Sequence, residues 1–355
     1  MLSHIRMMIF HETLINWYLQ NKRELPWRRT KDPYLVWLSE IILQQTRVDQ
    51  GMSYYLKFSE AFPKVNDLAN ANESTILKMW QGLGYYSRAR NLHYTAKYVT
   101  NELNGKFPNN HSDLLKLKGV GDYTASAIAS FCFDQACAVV DGNVYRVLAR
   151  YFGIHTPVNS TSGIRNFKKL AESLIDKDRS GTYNQAIMDF GALQCKPSNP
   201  DCYQCPLNSS CIALEKKWVK ILPVKIKKPK VRNRFFNYIV FVSEDGKTIL
   251  EQRIGKGIWQ GLYQFPLIET KEKVTLNQLL EIEEFQKIVP KESHITLFNQ
   301  EDIIHKLSHQ HLNTQFWIVK SRSLERINIH WIDIQKFAVP VLISNFLAQF
   351  NAKSH

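Results

Sequence analysis

Apolar side chains recur at intervals of three and four residues through the first part of the chain. Examples are Leu14, Trp17 and Tyr18, then Trp37, Leu38, Ile41 and Ile42, and later Leu170, Leu174 and Ile175. This period places the apolar residues on one face of a helix. Loop residues such as Asn104-Gly105 separate the helical segments. The pattern predicts an all-α region from Phe10 to about Leu214.

The pattern changes at a basic stretch. Nine lysines and arginines occur from Lys216 to Arg234 without an acidic residue, around Pro223 and Pro229. Such a composition is typical of a linker, and we place one at residues 216–234.

After the linker, apolar and polar residues follow the pattern of short strands. Strands are predicted at 235–242, 248–252, 314–319 and 327–331, and a helix is predicted at 276–285. The chain is therefore divided into a helical first domain, residues 1–215, and a small α+β domain, residues 235–350.

The charge of the chain suggests its partner. Lysine and arginine outnumber aspartate and glutamate by 46 to 32, which gives a net charge of +14. A surface of this sign attracts polyanions, so nucleic acid is the first partner to consider and an anionic membrane the second. No stretch has the roughly 20 apolar residues of a membrane-spanning helix, and residues 1–10 lack the apolar core of a signal peptide. We therefore expect an intracellular protein of the cytoplasm and its nucleoid, with no membrane partner.

Cysteines cluster near the end of the helical region. Cys195, Cys202, Cys205 and Cys211 are separated by six, two and five residues. A reducing compartment argues against a disulfide framework, whereas four thiolates fit either tetrahedral zinc or an iron-sulfur cluster. The spacing alone leaves both metals open.

Two glycines, Gly119 and Gly121, interrupt the helical pattern between Leu117 and Ala125. Glycine lets the backbone approach a phosphate, and the helix that follows presents unpaired N–H groups to it. The same residues also fit a plain turn between two helices.

Two acids stand in apolar surroundings. Asp141 directly follows the apolar run 136–140, where an acid either caps a helix or is a positioned catalytic carboxylate. Glu40 lies between Leu38 and Ile41, where it is either a satisfied helix acid or a buried acid with a raised pKa. Taken alone, the residues favour the structural interpretation of each.

Longer stretches resemble one superfamily of DNA-repair enzymes. They are Leu25–Arg28, Trp37–Val48, Gly82–Leu92 and Asn184–Ala192, with the glycine hairpin, Asp141–Val144 and the four cysteines. The set is similar to the endonuclease III superfamily of helix-hairpin-helix DNA glycosylases, and within it to the MutY family of adenine DNA glycosylases. The resemblance covers essentially the whole first domain. It implies a mainly α helix-hairpin-helix glycosylase fold with one 4Fe-4S cluster, rather than zinc, in the loop 195–211.

The stretch Gly257–Pro266 resembles the C-terminal domain of the same family, which is related to the Nudix fold. A catalytic Nudix hydrolase needs an acid-rich metal-binding helix after this stretch, whereas residues 275–285 contain only Glu281, Glu283 and Glu284. The resemblance therefore implies a Nudix-like α+β domain that recognises 8-oxoguanine and does not hydrolyse nucleotides.

The resemblance assigns catalytic roles to three residues. Glu40 would stay protonated and donate to N7 of the leaving adenine. Asp141 would stay ionised beside the oxocarbenium-like sugar, either as an electrostatic stabiliser or as a transient nucleophile. Tyr123 stands where lyase-competent relatives carry a lysine that forms a Schiff base. This implies a monofunctional hydrolase.

The resemblance also implies contacts with DNA. The pocket for the flipped base would be formed by Arg23, Trp27, Arg28, Leu43, Val48 and Gln185. Gln45 and Tyr85 would wedge into the duplex around the opposing guanine, with Thr46 and Leu83 beside them. The remaining DNA contacts would come from Gly119, Gly121 and Asn143, and the contacts to 8-oxoguanine from Ser308 and His309.

Two positions depart from the family pattern. Lys118 replaces the usual proline of the hairpin, which adds a cation there. Leu307 replaces the phenylalanine that precedes Ser308-His309, which changes the packing under that loop.

We therefore expect a monomeric base-excision repair enzyme that acts on double-stranded DNA. Its substrate would be adenine opposite 8-oxoguanine and, more weakly, adenine opposite guanine. One alternative is a pyrimidine-lesion glycosylase with lyase activity, which Tyr123 disfavours. The other is a non-catalytic, cluster-bearing DNA-binding protein, which the presence of both Glu40 and Asp141 disfavours.

Overall fold

The computed structural model describes residues 2–226, 231–321 and 329–350. Four residues of the predicted linker, 227–230, and the first two residues of the strand predicted at 327–331 lie outside this range. No helix of the described ranges is long and apolar enough to cross a membrane.

The described residues up to Glu215 form helices joined by short loops. These are α1 Leu2–Asn21, α2 Pro33–Leu43, α3 Val48–Ala61, α4 Val65–Asn70, α5 Glu73–Met79, α6 Ser87–Glu102, α7 His111–Leu114, α8 Asp122–Phe133, α9 Gly142–Phe152, α10 Thr161–Leu174, α11 Ser180–Leu193 and α12 Ile212–Glu215, with 3-10 turns at Pro26–Arg28 and Asn208–Ser210. The all-α prediction for this region is confirmed.

The chain divides into two compact units. The first contains residues 1–70 and 91–227, and the second contains residues 71–90 and 228–355. Residues 71–90, which include α5 and the start of α6, lie inside the predicted first domain but pack with the second unit.

Four helices build the core of the first unit. α1, α9, α10 and α11 contribute the fully buried side chains Phe10, Leu148, Phe167 and Phe190. Trp17 packs edge-on against Phe190, with ring centroids 5.1 Å apart. The apolar faces that the sequence pattern predicted for α1 and α10 thus meet in one core, and burial of such surface is the main stabilising contribution to the fold.

Two termini fix the helices that carry the catalytic candidates. α9 begins at Asp141, whose carboxylate accepts the backbone N–H groups of Asn143 and Val144, and it ends at Gly153 with φ +64°. α8 begins after the hairpin glycines. Gly119 has φ +83°, and a Cβ there would lie 2.9 Å from the Cβ of Asn91, so both its conformation and its packing require glycine.

The second unit is built on one mixed sheet, which runs in the order β5-β1-β8-β6, with β7 also paired to β8. Its strands are β1 Arg232–Ser243, β5 Leu267–Thr270, β6 His294–Leu297, β7 Ile303–Lys306 and β8 Gln310–Ser321. The long pair β1 and β8 is parallel, with Phe235 opposite Asn313, and the other pairs are antiparallel. Two small two-stranded sheets join β2 Lys247–Thr248 to β9 Ile329–His330 and β3 Glu251–Gln252 to β4 Tyr263–Gln264.

Two predicted elements of this unit are wrong in detail. The strand predicted at 248–252 is split between β2 and β3, which belong to different sheets. The helix predicted at 276–285 is two short helices, α13 Leu276–Leu280 and α14 Glu283–Ile288, because Ile282 between them adopts an extended conformation. This break lets Leu279 and Phe285 both reach the core against the sheet. The remaining helix is α15 Val341–Gln349.

Candidate active site

Glu40 is buried near the end of α2. Asp32 caps this helix and Pro33 begins it, and nearly every side chain from Tyr34 to Ile42 is buried. The side chain of Glu40 is 6% exposed. Its pKa is raised to about 7, mainly by burial and also by the charge of Asp141, while a hydrogen bond with Tyr123 and the charge of Arg28 act in the opposite direction. A carboxyl group with this pKa can hold and deliver a proton near neutral pH.

Asp141 lies at the N-terminus of α9, where its carboxylate accepts three hydrogen bonds. The donors are the backbone N–H groups of Asn143 and Val144 and the side-chain amide of Asn143, each at 2.8 Å. Burial raises the pKa of Asp141, whereas these hydrogen bonds and Arg146 lower it. The structure therefore shows that Asp141 is a helix cap, and its cap bonds favour the ionised form.

Arg146 holds Asn143 in place. Its guanidinium donates to the side-chain oxygen of Asn143 at 2.8 Å and to the carbonyl oxygens of Gly191 and Cys195 at 2.7 Å. Asn143, predicted to contact DNA, is thus placed as the partner of Asp141.

Tyr123 lies in the first turn of α8, directly after the hairpin. Its pKa is raised well above 10 by burial and by the charges of Glu40 and Asp141, so the phenol stays neutral. The hydroxyl lies 3.9 Å from Sδ of Met188 and also hydrogen-bonds Glu40. The phenol thus interacts with both catalytic candidates.

The pKa of Glu40 predicts how excision depends on pH. If Glu40 is the acid that protonates the leaving base, the rate at subsaturating enzyme should fall as the pH rises through about 7, by about tenfold per pH unit above it. Single-turnover rates measured from pH 5.5 to 9 test this. A rate that is flat from pH 6 to 9 would contradict the assignment of Glu40 as the acid.

Two arginines surround a buried acid beside this site. Asp189 of α11 is completely buried and accepts from Nε and Nη2 of Arg23 at 2.8 and 2.5 Å and from both Nη atoms of Arg28 at 2.6 and 2.8 Å. These partners lower the pKa of Asp189 although burial opposes them. The network fixes both arginines, and it places Arg28 close enough to lower the pKa of Glu40.

The other predicted base-pocket residues come from three places. Trp27 is buried edge-on against Tyr55 at 5.0 Å, while Leu43 and Val48 lie half-buried at the end of α2 and the start of α3. Gln185 lies half-buried on α11, where its side-chain oxygen accepts the hydroxyl of Tyr18.

The turn between α2 and α3 carries Gln45 and Thr46. Gln45 is exposed and has φ +56°, a backbone conformation that residues other than glycine seldom adopt. The backbone N–H of Thr46 donates to the carbonyl of Leu43 at 3.1 Å, which closes the turn. The side chain of Gln45 therefore projects from a tight and strained turn.

The second unit brings Tyr85 and Ser308 together. Tyr85 has φ +47°, is 45% exposed and hydrogen-bonds the hydroxyl of Ser308, which lies in the turn between β7 and β8. A cavity of about 590 Å³ is lined by both residues and by Leu83, Leu307 and His309. The replacement residue Leu307 is half-buried in this turn, and His309 is exposed.

The loop that carries Tyr85 is held by two buried side chains. Arg88 donates to the carbonyl oxygens of Leu83 and Gly84 at 3.1 and 3.2 Å, and the indole N–H of Trp80 donates to Gly84 at 3.0 Å. The guanidinium of Arg88 also lies 5.1 Å from the ring of Trp80. These contacts explain how a non-glycine residue is kept at positive φ.

The backbone of the two hairpin glycines is exposed to solvent. Gly119 and Gly121 are exposed, and Gly121 is the N-cap of α8. Lys118, exposed beside them, has its ammonium 4.3 Å from the ring centroid of Tyr94.

The cysteines Cys195, Cys202, Cys205 and Cys211 line one small cavity. Arg150 is buried beside them, and its guanidinium lies 3.4 Å from Sγ of Cys195. The pKa of Cys205 is raised to about 12, mainly by burial and also by the charges of the other three cysteines. Four cysteine sulfurs around one cavity, beside an arginine, could be the ligands of one shared metal centre.

Both units match known families. Residues 38–172 match the HhH-GPD superfamily of base excision DNA repair proteins, and residues 237–349 match the NUDIX domain. The adenine DNA glycosylase of Buchnera aphidicola subsp. Baizongia pistaciae is 38% identical over 315 residues, which cover 88% of this chain and 86% of that protein. The chain belongs to the adenine DNA glycosylase family.

Other adenine DNA glycosylases and related structures agree with this. The human adenine DNA glycosylase is 44% identical over 216 residues, which cover 58% of this chain and 40% of that protein. A thermostable thymine-DNA glycosylase matches with a TM-score of 0.57 and 32% identity, over 60% of this chain and 99% of that one. An endonuclease III–DNA complex shares the fold, with a TM-score of 0.53 and 21% identity over 61% of this chain and 97% of that one. The predicted family and the predicted helix-hairpin-helix and Nudix-like folds are confirmed, whereas the iron-sulfur cluster in the loop 195–211 stays a prediction.

Sequence reasoning overlooked two residues of this adenine DNA glycosylase family member. Asp189 lies inside a stretch that carried the resemblance, but a single acid on a helix gave no sign of its two arginine partners. Tyr18 has the spacing of a core residue and is indeed buried, and nothing in the sequence connects it with Gln185.

Proposed function

We propose that this chain removes adenine opposite 8-oxoguanine, and more weakly adenine opposite guanine, from double-stranded DNA. The observation that carries the proposal is the pair Glu40 and Asp141. One carboxyl group is buried with its pKa raised to about 7, and the other is held by three hydrogen bonds that favour its charge. Burial raises the pKa of both carboxyl groups, but only Asp141 accepts three hydrogen bonds that favour its charged form. Two carboxyl groups in such different surroundings can serve as the proton donor and the charged partner in hydrolysis of a glycosidic bond.

The chemistry divides between the two carboxyl groups. Glu40 donates its proton to N7 of the extruded adenine, so that the base leaves as a neutral species. Asp141 supplies negative charge where the sugar develops oxocarbenium character. Tyr123 offers a neutral phenol in place of an amine, so no Schiff base forms at the sugar carbon and water completes the hydrolysis.

Exposed backbone N–H groups of the hairpin would bind the DNA. The open N–H groups at Gly119 and Gly121 and the start of α8 form a phosphate site, and Lys118 adds a cation. The cavity around Tyr85 and Ser308 would take the opposing base. Because the catalytic carboxyl groups and this cavity belong to one chain, we propose that the enzyme acts as a monomer.

A turnover assay tests this function. Duplexes with one adenine opposite 8-oxoguanine, guanine or thymine are incubated with excess enzyme and then treated with alkali. We expect strand cleavage only after alkali, with rates in the order 8-oxoguanine, guanine, thymine, and no adduct trapped by borohydride. Absence of adenine excision would refute the function, whereas efficient trapping would favour the lyase alternative.

Ser308 and His309 should distinguish 8-oxoguanine from guanine. The two bases differ by an oxygen at C8 and a hydrogen on N7, so one or two hydrogen bonds carry much of the discrimination. The double variant Ser308→Ala, His309→Ala should bind adenine opposite 8-oxoguanine about tenfold more weakly, and adenine opposite guanine much less so. Kd values from fluorescence anisotropy measure both effects.

The same domain supplies a matched control. Ser293 and His294 form a second Ser-His pair at the start of β6, and replacing both with alanine should leave the preference unchanged. Equal weakening on both duplexes by the Ser308→Ala, His309→Ala variant would mean that the loop only holds Tyr85 or the DNA backbone.

We propose further that the four cysteines hold one 4Fe-4S cluster. The support is one small cavity lined by Cys195, Cys202, Cys205 and Cys211, with Arg150 beside them. Four cysteine thiolates are the ligand set of such a cluster. The cluster would be structural, holding the loop 195–211 together.

Metal analysis tests the cofactor. The purified protein should be yellow-brown and contain about four irons per chain. Cys202→Ser should lose iron, whereas Cys137→Ser, outside the cluster loop, should retain it. Zinc in place of iron would contradict the proposal.

A further inference from the structure

Tyr18 and Gln185 form a hydrogen bond that the proposed chemistry does not use. The buried hydroxyl of Tyr18, on α1, donates to Oε1 of Gln185, on α11, at 2.5 Å. The two residues are 167 positions apart in the chain. The contact therefore depends on the packing of α1 against α11 rather than on local structure.

Gln185 lies on the same helix as Met188, which contacts a catalytic candidate. It lies one helical turn before Met188, whose sulfur contacts the hydroxyl of Tyr123. On the other side, the guanidinium of Arg28 lies 5.8 Å from the ring centroid of Tyr18, and its charge acts on Glu40. The partner of the amide, Tyr18, is thus packed beside an arginine whose charge acts on Glu40.

The bond to Tyr18 fixes which way the amide faces. A glutamine side chain has one end that accepts hydrogen bonds and one that donates them. Since Oε1 accepts from Tyr18, Nε2 points away from it, and within the described ranges Nε2 makes no hydrogen bond. The half-buried side chain therefore offers a fixed donor without a protein acceptor.

Tyr18 is held by its surroundings. Arg28, which lies over its ring, is fixed by two hydrogen bonds to the buried Asp189. The backbone N–H of Lys22, directly after α1, donates to the carbonyl of Tyr18 at 2.8 Å. The backbone of Tyr18 and the arginine over its ring are thus in place before any base enters, which limits the reorganisation needed on binding.

We propose that Tyr18 is a specificity-positioning residue that holds the Gln185 amide with its NH₂ group toward the extruded base. This inference rests on the proposed function. A fixed donor matches a purine whose six-membered ring presents an unprotonated N1, as adenine does. It opposes a purine that carries a hydrogen on N1, as hypoxanthine and guanine do, because two donors then face each other.

Removing the hydroxyl should relax this selection. In Tyr18→Phe the amide can turn by half a rotation and present its oxygen instead, which accepts the N1 hydrogen of hypoxanthine. We expect adenine excision to fall by about three- to tenfold, and the ratio of adenine to hypoxanthine excision to narrow at least fivefold.

The experiment compares single-turnover rates on matched duplexes with adenine or hypoxanthine opposite 8-oxoguanine. The full-length variants are Tyr18→Phe, Gln185→Leu and the double variant. Tyr151→Phe serves as control, since it removes a different buried hydroxyl, which donates to Ser210 at 3.0 Å. If the bond acts through Gln185, Tyr18→Phe should have no further effect on selectivity in the Gln185→Leu background.

The outcomes separate this proposal from the function on which it rests. The proposal is supported if the ratio of adenine to hypoxanthine excision narrows in Tyr18→Phe and stays unchanged in Tyr151→Phe. Equal loss on both substrates, or no measurable hypoxanthine excision by Tyr18→Phe, would overturn it. Wild-type enzyme that fails to excise adenine would instead refute the proposed function.

Discussion

Glu40→Gln should lower the single-turnover rate of adenine excision by at least about three powers of ten. Glutamine keeps the shape of the side chain but has no acidic proton to deliver, and adenine is a poor leaving group without one. DNA affinity should stay within about twofold, because Glu40 lies 6% exposed inside the first unit and adds no cation to the DNA-binding surface. Substantial turnover would remove Glu40 from the acid role.

Stability provides an internal control for this variant. The folded-state pKa of Glu40 is about 7, above its ordinary value of 4.5, so the folded protein holds the proton more tightly than the unfolded chain. The free energy of unfolding therefore decreases as the pH rises from about 4.5 to 7, by roughly 3 kcal/mol. Glu40→Gln removes this cost and should be more stable than the wild type at pH 8. Glu60→Gln, an exposed substitution on α3, should alter neither the excision rate nor the free energy of unfolding.

Asp141→Asn should reduce excision by a similar factor, for a different reason. The substitution removes the negative charge that would stabilise the developing positive charge on the sugar. It preserves the cap of α9, since the asparagine oxygen can still accept from the backbone N–H groups of Asn143 and Val144. We therefore expect a folded, DNA-binding protein without significant activity.

Asp32→Asn is the matched control for the capping role. Asp32 caps α2 by accepting the N–H of Tyr34 at 2.8 Å and is exposed. Its replacement should leave excision almost unchanged. If both substitutions reduced excision to the same extent, the effect of Asp141 would be one of helix structure. If Asp141→Asn retained most of its rate, the charge would have no catalytic part.

The helical half of the fold could be predicted from sequence because its signals are local. The apolar period around Leu14 and Leu170 is set by the helix itself, and the burial of Glu40 follows from its apolar neighbours on α2. Asp141 illustrates a limit of such reasoning. Cap and catalyst were treated as alternatives, whereas the cap bonds are what favour its ionised form.

Contacts between distant residues could not be predicted in this way. The grouping of residues 71–90 with the second unit depends on long-range packing that no local pattern records. The pairing of Asp189 with Arg23 and Arg28 spans more than 160 positions, and that of Tyr18 with Gln185 spans 167. The break at Ile282 similarly follows from the demands of the core, since 276–285 has an unbroken helical pattern.

The two residues predicted to wedge into the duplex share an unusual backbone. Gln45 and Tyr85 both adopt left-handed φ angles, where glycine would relieve on the order of 1 kcal/mol each. A screen of random variants for heat resistance would therefore enrich glycine at both positions. Such a screen would select robust proteins that have lost the side chains for sensing the opposing strand, so thermal selection alone would lead away from repair.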